Sequence, residues 1–84
     1  MGVAIAVIDY GMGNLGSVKN TLAHLGLAAD IVDDPRVLAS YDKLILPGVG
    51  AFGDAMAELN KRGFVGPLKD FAAMGRPFLG ISQA

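Results

Sequence analysis

Apolar and polar positions fall in blocks along this chain, and the blocks read as strands and helices in turn. Val3-Ala4-Ile5-Ala6-Val7-Ile8 is a near-continuous apolar run, β-branched at four of six positions. Such a run predicts a strand buried on both faces, as in a parallel sheet. The glycine-rich stretch from Asp9 to Gly13 breaks it. Leu15, Val18, Leu22 and Leu25 then recur at helical spacing, which predicts a first helix with one apolar face. Asn14 stands at its N-cap position and Gly26 where a left-handed C′ residue belongs.

Ala28 to Val32 predicts a second strand, ended by Asp33-Asp34-Pro35; Asp34 caps a short helical turn with Pro35 at its first position. Lys43 to Leu46 predicts a third strand, stopped by Pro47-Gly48. A helix from about Ala51 puts Phe52, Met56 and Leu59 on one face and stops at Gly63. Another opens at Gly66-Pro67, turns Leu68, Phe71 and Ala72 inward, and ends at Gly75. Pro77 to Ile81 predicts the fourth strand. Alternating strands and helices with short connections imply a layered α/β fold with a parallel sheet and right-handed crossovers.

Composition changes the picture in one respect. The 84 residues are 52% hydrophobic, with a mean hydropathy of +0.47, more apolar than a small free-standing domain needs. The excess reads as surface to be covered by further sequence or another chain. Seven basic and eight acidic residues give a net charge of −1, with no basic stripe for nucleic acid and no basic amphipathic helix for a membrane surface. No run reaches the ~20 apolar residues of a membrane span. The start lacks the basic region of a secretory signal, and Ala6 stands where myristoylation prefers Ser or Thr. The expected compartment is cytoplasmic. With no Cys and one His, disulfides, thiol catalysis and transition-metal sites are not expected, nor is any cofactor.

Two glycine clusters carry candidate chemistry. Gly11-Met12-Gly13-Asn14-Leu15-Gly16 matches G-x-G-x-x-G after a strand and at a helix start, with Asp33 and Asp34 near the end of the second strand. That is formally a dinucleotide fingerprint. Asp9, however, puts a carboxylate beside the would-be phosphates. The alternative is that these glycines shape a strand-to-helix turn and allow close packing. Pro47-Gly48-Val49-Gly50 lies at the carboxyl end of the third strand, where open α/β sheets place their ligands. Successive N–H groups there form an anion cradle, unless the segment is only a tight turn. Leu79-Gly80-Ile81-Ser82 approaches a nucleophile elbow, but an elbow needs a base in reach, and His24, on the first helix, is a poor candidate. Asp54, Glu58 and Lys61 share a helical face typical of a solvated surface.

Three segments taken together resemble one family. They are Ile8-Asp9-Tyr10-Gly11-Met12-Gly13-Asn14-Leu15 with Ser17-Val18, Leu46-Pro47-Gly48-Val49-Gly50-Ala51-Phe52, and Gly75-Arg76-Pro77-Phe78-Leu79-Gly80-Ile81. Their order and spacing are similar to the glutamine amidotransferase subunit of imidazole glycerol phosphate synthase, a class I triad glutaminase of histidine biosynthesis. The resemblance runs from residue 3 to about 81 and covers less than half of that family's domain, so residues 1–84 read as its N-terminal half. It implies a flavodoxin-like parallel sheet, here truncated to about four strands.

In the family, a Cys–His–Glu triad hydrolyses glutamine, and the ammonia passes to a partner cyclase, a (β/α)8 barrel. By position, Gly48, Val49 and Gly50 match the oxyanion loop, with the Val49 N–H as a donor and Gln83 supplying a second. Tyr10, Met12 and Asn14 match the loop that faces the cyclase. Ser82 falls on the nucleophile position, where the family has Cys, and Gln83-Ala84 departs from the family's Leu-Gly-Met. The resemblance thus implies a catalytically incompetent fragment. The abrupt change after Ile81 points to an engineered end, and the open sheet to self-association into a homo-oligomer. Docking to the cyclase barrel and nucleotide binding at Gly11–Gly16 stand as the alternatives.

Overall fold

In the computed structural model the backbone is described for residues 3–11, 13–48, 52–76 and 78–82; side chains are described for these except 52 and 78–82. The elements follow in the order β1 (Ile5–Ile8), α1 (Leu15–His24), β2 (Asp30–Val32), a 3-10 turn (Pro35–Ser40), β3 (Lys43–Gly48), α2 (Phe52–Lys61), α3 (Val65–Ala73) and β4 (Phe78–Ser82). All strand pairs are parallel, in the order β2-β1-β3-β4. β1 and β3 are central. Among the described residues β2 and β4 form the two edges.

The apolar run of β1 is buried at every position because both sheet faces are covered. Alternation sorts its side chains. Ile5 and Val7 join Val18, Leu22 and Ile45 under α1. Ala6 and Ile8 point the other way, into a larger core with Val32, Leu38, Leu44, Leu59, Phe64 and Phe71. That second layer is built by the 3-10 turn, α2 and α3.

Local signals set the ends. The Asn14 side chain accepts from the Ser17 N–H at 3.0 Å and caps α1. Gly26, at φ +77°, ends it in the left-handed region that glycine occupies without strain. Asp34 accepts from the Arg36 N–H at 2.9 Å, with Pro35 in the first turn.

Several expectations are corrected. β1 begins at Ile5; Val3 is largely exposed, and the Ala4 N–H bonds the Asp42 carboxylate instead of a strand. β2 covers only Asp30–Val32. Leu25 is 69% exposed because it is the C-cap, past the last turn that packs on the sheet. Met56 is 38% exposed, and Ala55 takes the inward position beside Leu59. Ala72 is exposed while Phe71 is buried, and α3 starts at Val65.

The third strand does not stop at Pro47. The β1–β3 ladder ends at Val7↔Ile45, and beyond it β3 continues against β4 alone, through Leu46↔Gly80, Pro47↔Ile81 and Gly48↔Ser82. Proline removes a ladder donor and is tolerated where one side of a strand has no partner strand. Pro47 sits in such a stretch. The expected fourth strand is displaced by one residue, to Phe78–Ser82.

Candidate functional site

The carboxyl ends of β1, β3 and β4 lie along one rim of the sheet, and the candidate residues cluster there. The centre of the rim is the junction between the β1–α1 loop and the end of β3. Tyr10 continues the alternation of Ala6 and Ile8, so its ring enters the same core and is fully buried. Its hydroxyl donates to the Pro47 carbonyl. Burial pushes the Tyr10 phenol pKa up, since the charged form would lose its hydration. Gly13, at φ +86°, lies flat against Pro47: a Cβ there would sit 2.6 Å from the Pro47 Cβ.

Beside this junction β3 and β4 run in register to their last residues, with Gly48 directly across from Ser82. Neighbouring parallel strands lie about 4.8 Å apart. The last residue of β3 and the last residue of β4 are therefore adjacent. Val49, Gly50, Gln83 and Met12, and the side chain of Ser82, lie outside what is described.

His24 is exposed at the end of α1. In a parallel crossover that helix runs back from the carboxyl rim, so ten residues at ~1.5 Å per residue carry His24 roughly 15 Å toward the opposite rim. Asn14 lies on the rim, its side chain engaged as the α1 cap.

The glycine fingerprint is filled by the protein itself. The Gly11 N–H donates to Asp9 Oδ1 at 3.1 Å. The Arg62 guanidinium occupies the space above Gly11, and Pro47 occupies the space above Gly13. Asp34 is also engaged: Arg36 Nε and Nη2 each reach its carboxylate at 3.0 Å. Hydrogen bonds from the Arg36 side chain and backbone hold the Asp34 pKa below its ordinary value. These contacts favour the packing reading of Gly11–Gly16 over a pyrophosphate site.

Three participants escaped the sequence reading. Tyr10 stands on the loop that the resemblance matches to the partner-facing one, and its ring is also a core anchor, a signal carried by the period-two spacing of residues 6, 8 and 10. Pro47 reads as a strand stop from its neighbours in sequence; in the fold it lies within β3 and is a packing platform for Gly13. Arg62 had no local signal, because its contact with Gly11 joins segments far apart in sequence.

Among the described residues the parallel strand order β2-β1-β3-β4, with helices between the strands, defines an open α/β sheet, an arrangement consistent with the flavodoxin-like class. No protein-family model matches the chain. Curated relatives give the closer placement. Over 77 residues, 92% of its length, the chain is 56% identical to imidazole glycerol phosphate synthase subunit HisH of Sulfurimonas denitrificans. It is 54% identical to the subunit of the same name from Syntrophotalea carbinolica and 51% identical to that from Rhodopirellula baltica, again over 92% of its length. The matched region is 37%, 37% and 38% of those three relatives. The chain is homologous to the N-terminal part of subunit HisH, and it spans little more than a third of that subunit's length.

Proposed function

We propose that this chain is the part of a HisH-type glutaminase that forms the oxyanion side of the active site, and that these 84 residues alone do not hydrolyse glutamine. In the complete subunit, glutamine would be cleaved and its ammonia delivered to a cyclase barrel, in the cytoplasm. The observation that carries this reading is the pairing of Gly48 with Ser82. It supports a site in which the N–H groups of Val49 and Gln83 face the carbonyl of a bound amide, with residue 82 as the attacking group.

The inactivity follows from the residues present. No Cys occurs in the sequence, and a serine hydroxyl without a base is a weak nucleophile at neutral pH. The one imidazole, His24, is directed toward the far rim. The test is ammonia release from glutamine by the purified chain, with and without the cyclase barrel. Release at the buffer rate is expected; release above it would refute the proposal.

A second reading is favoured by the packing of the β1–α1 loop. Tyr10 and Gly13 fix that loop on Pro47, and a preformed loop loses little entropy on docking. The loop would dock the cyclase barrel, with weak affinity. Co-elution is the assay. Asn14→Ser is the informative variant, because it keeps the α1 cap while removing the amide; unchanged co-elution would exclude Asn14 from the contact. Self-association is the third element of the proposal. Among the described residues β4 is bonded on one side only, and such an edge recruits another strand. Light scattering at micromolar concentration should detect oligomers, and a monodisperse monomer would remove this element.

A further inference from the structure

Arg62 follows the last turn of α2, yet its guanidinium lies over the loop that ends β1. A Cβ built on Gly11 would meet the Arg62 Nη2 and would stand 2.9 Å from its Cζ. The same guanidinium is fixed from behind: Nε donates to Glu58 Oε2 at 3.0 Å, one helical turn earlier. Glu58, Arg62 and Gly11 line one shallow groove with Asp54 and Ala57, so this flank of α2 runs alongside the loop. Beneath the guanidinium, Gly11 adopts φ +85° and its N–H is held by the Asp9 carboxylate.

We propose that Glu58 and Arg62 form a latch across the β1–α1 loop: the carboxylate holds the guanidinium over Gly11, and the pair keeps the loop in a single backbone conformation. Arg62 is a positioning residue, acting on the backbone of Gly11. Three features argue for a latch rather than a rigid part of the core. Both side chains are partly exposed, 45% for Arg62 and 31% for Glu58. The obstructing atoms are the far end of a flexible side chain, so they can swing aside without moving the helix. The link is an ion pair near water, and salt weakens such pairs. On the other flank of the loop, the buried Tyr10 hydroxyl is bonded to Pro47 and Gly13 packs on the same residue, neutral contacts that salt does not screen. The loop therefore has one permanent side and one releasable side. This inference does not depend on what the loop docks or on any glutaminase activity.

The experiment measures 15N order parameters on the 84-residue chain, for Arg62→Ala and separately for Glu58→Ala. The parent should show Gly11 near the ~0.85 of rigid backbone, and both variants should fall toward about 0.6 at Gly11 while Gly13, packed on Pro47, stays unchanged. Val7, at the centre of the sheet, should stay unchanged. The parent loop should loosen in about 1 M NaCl, where the screening length is ~3 Å. Unchanged order at Gly11 in both variants would overturn the latch. Loosening of Val7 together with Gly11 would also overturn it, because Arg62 would then be holding the fold and not the loop.

Discussion

The hydroxyl of Tyr10 donates a hydrogen bond to the main-chain carbonyl of Pro47, and both residues are buried. The contact joins the end of β1 to the last residues of β3, across the gap left where their ladder stops at Val7↔Ile45. It does for this part of β3 what a strand bond does lower down. Tyr10→Phe removes the donor and leaves the ring in place. A lost buried hydrogen bond of this kind costs about 1 kcal/mol. For a domain of this size the melting temperature should fall by about 4–8 °C. An unchanged melting temperature would show that the bond contributes nothing net.

The same phenol gives a pH dependence. Burial raises the Tyr10 pKa, and the hydrogen bond to Asp30, ahead of desolvation, raises that of Tyr41. A raised folded-state pKa means that the folded chain favours the neutral phenol. The stabilisation is complete below the unfolded value of about 10 and is lost as pH rises through the folded values. The urea midpoint should therefore be insensitive to these groups at neutral pH and fall above pH ~10. Tyr10→Phe should make the fall shallower. A midpoint rising above that pH would contradict the assignment.

Gly11 and Gly13 separate backbone strain from steric contact. Both hold positive φ, +85° and +86°, where an alanine costs about 1–2 kcal/mol. At Gly11 the neighbour is the movable end of Arg62; at Gly13 it is the ring and backbone of Pro47. Gly13→Ala should therefore destabilise more than Gly11→Ala in urea unfolding. Equal effects would mean that Pro47 yields as easily as Arg62 does.

Arg76 closes the opposite side of the larger core. Its Nη1 donates to the carbonyls of Ala39 at 2.5 Å and Tyr41 at 3.0 Å, and its guanidinium lies 5.7 Å from the Phe71 ring centre. It ties the segment after α3 to the end of the 3-10 turn and to Tyr41, just beyond it. Arg76→Ala should cost about 1–2 kcal/mol, from two hydrogen bonds and a cation–π contact. Arg76→Lys should recover only part, because an ammonium lacks the planar fork. Full recovery with lysine would show that charge alone matters.

Much of the fold was legible because its signals are local. The β-branched run of β1, the Asn14 cap and the glycine stops at Gly26, Gly63 and Gly75 each act within a few residues. The features that local sequence does not carry are those that a distant partner decides. Pro47 reads as a stop until β4 is seen on its one bonded side. Leu25 and Met56 keep helical spacing but fall outside the area that the sheet covers. The glycine fingerprint matched in sequence, and only the positions of Arg62 and Pro47 reveal that its open space is filled. The adjacency of Gly48 and Ser82 is a register relation between segments 34 residues apart, which no local pattern encodes.

That register is also what the functional reading needs, and a cross-link tests it directly. With no cysteine elsewhere in the sequence, Gly48→Cys combined with Ser82→Cys gives a clean readout. Residues facing each other on parallel strands about 4.8 Å apart fall inside the disulfide Cα range of roughly 4.4–6.8 Å. Mild oxidation followed by mass analysis should yield an intramolecular disulfide, with the loss of two hydrogens per chain and no free thiol. Free thiols, or disulfides found only between chains, would mean that β4 does not bring residue 82 to the glycine turn of its own chain.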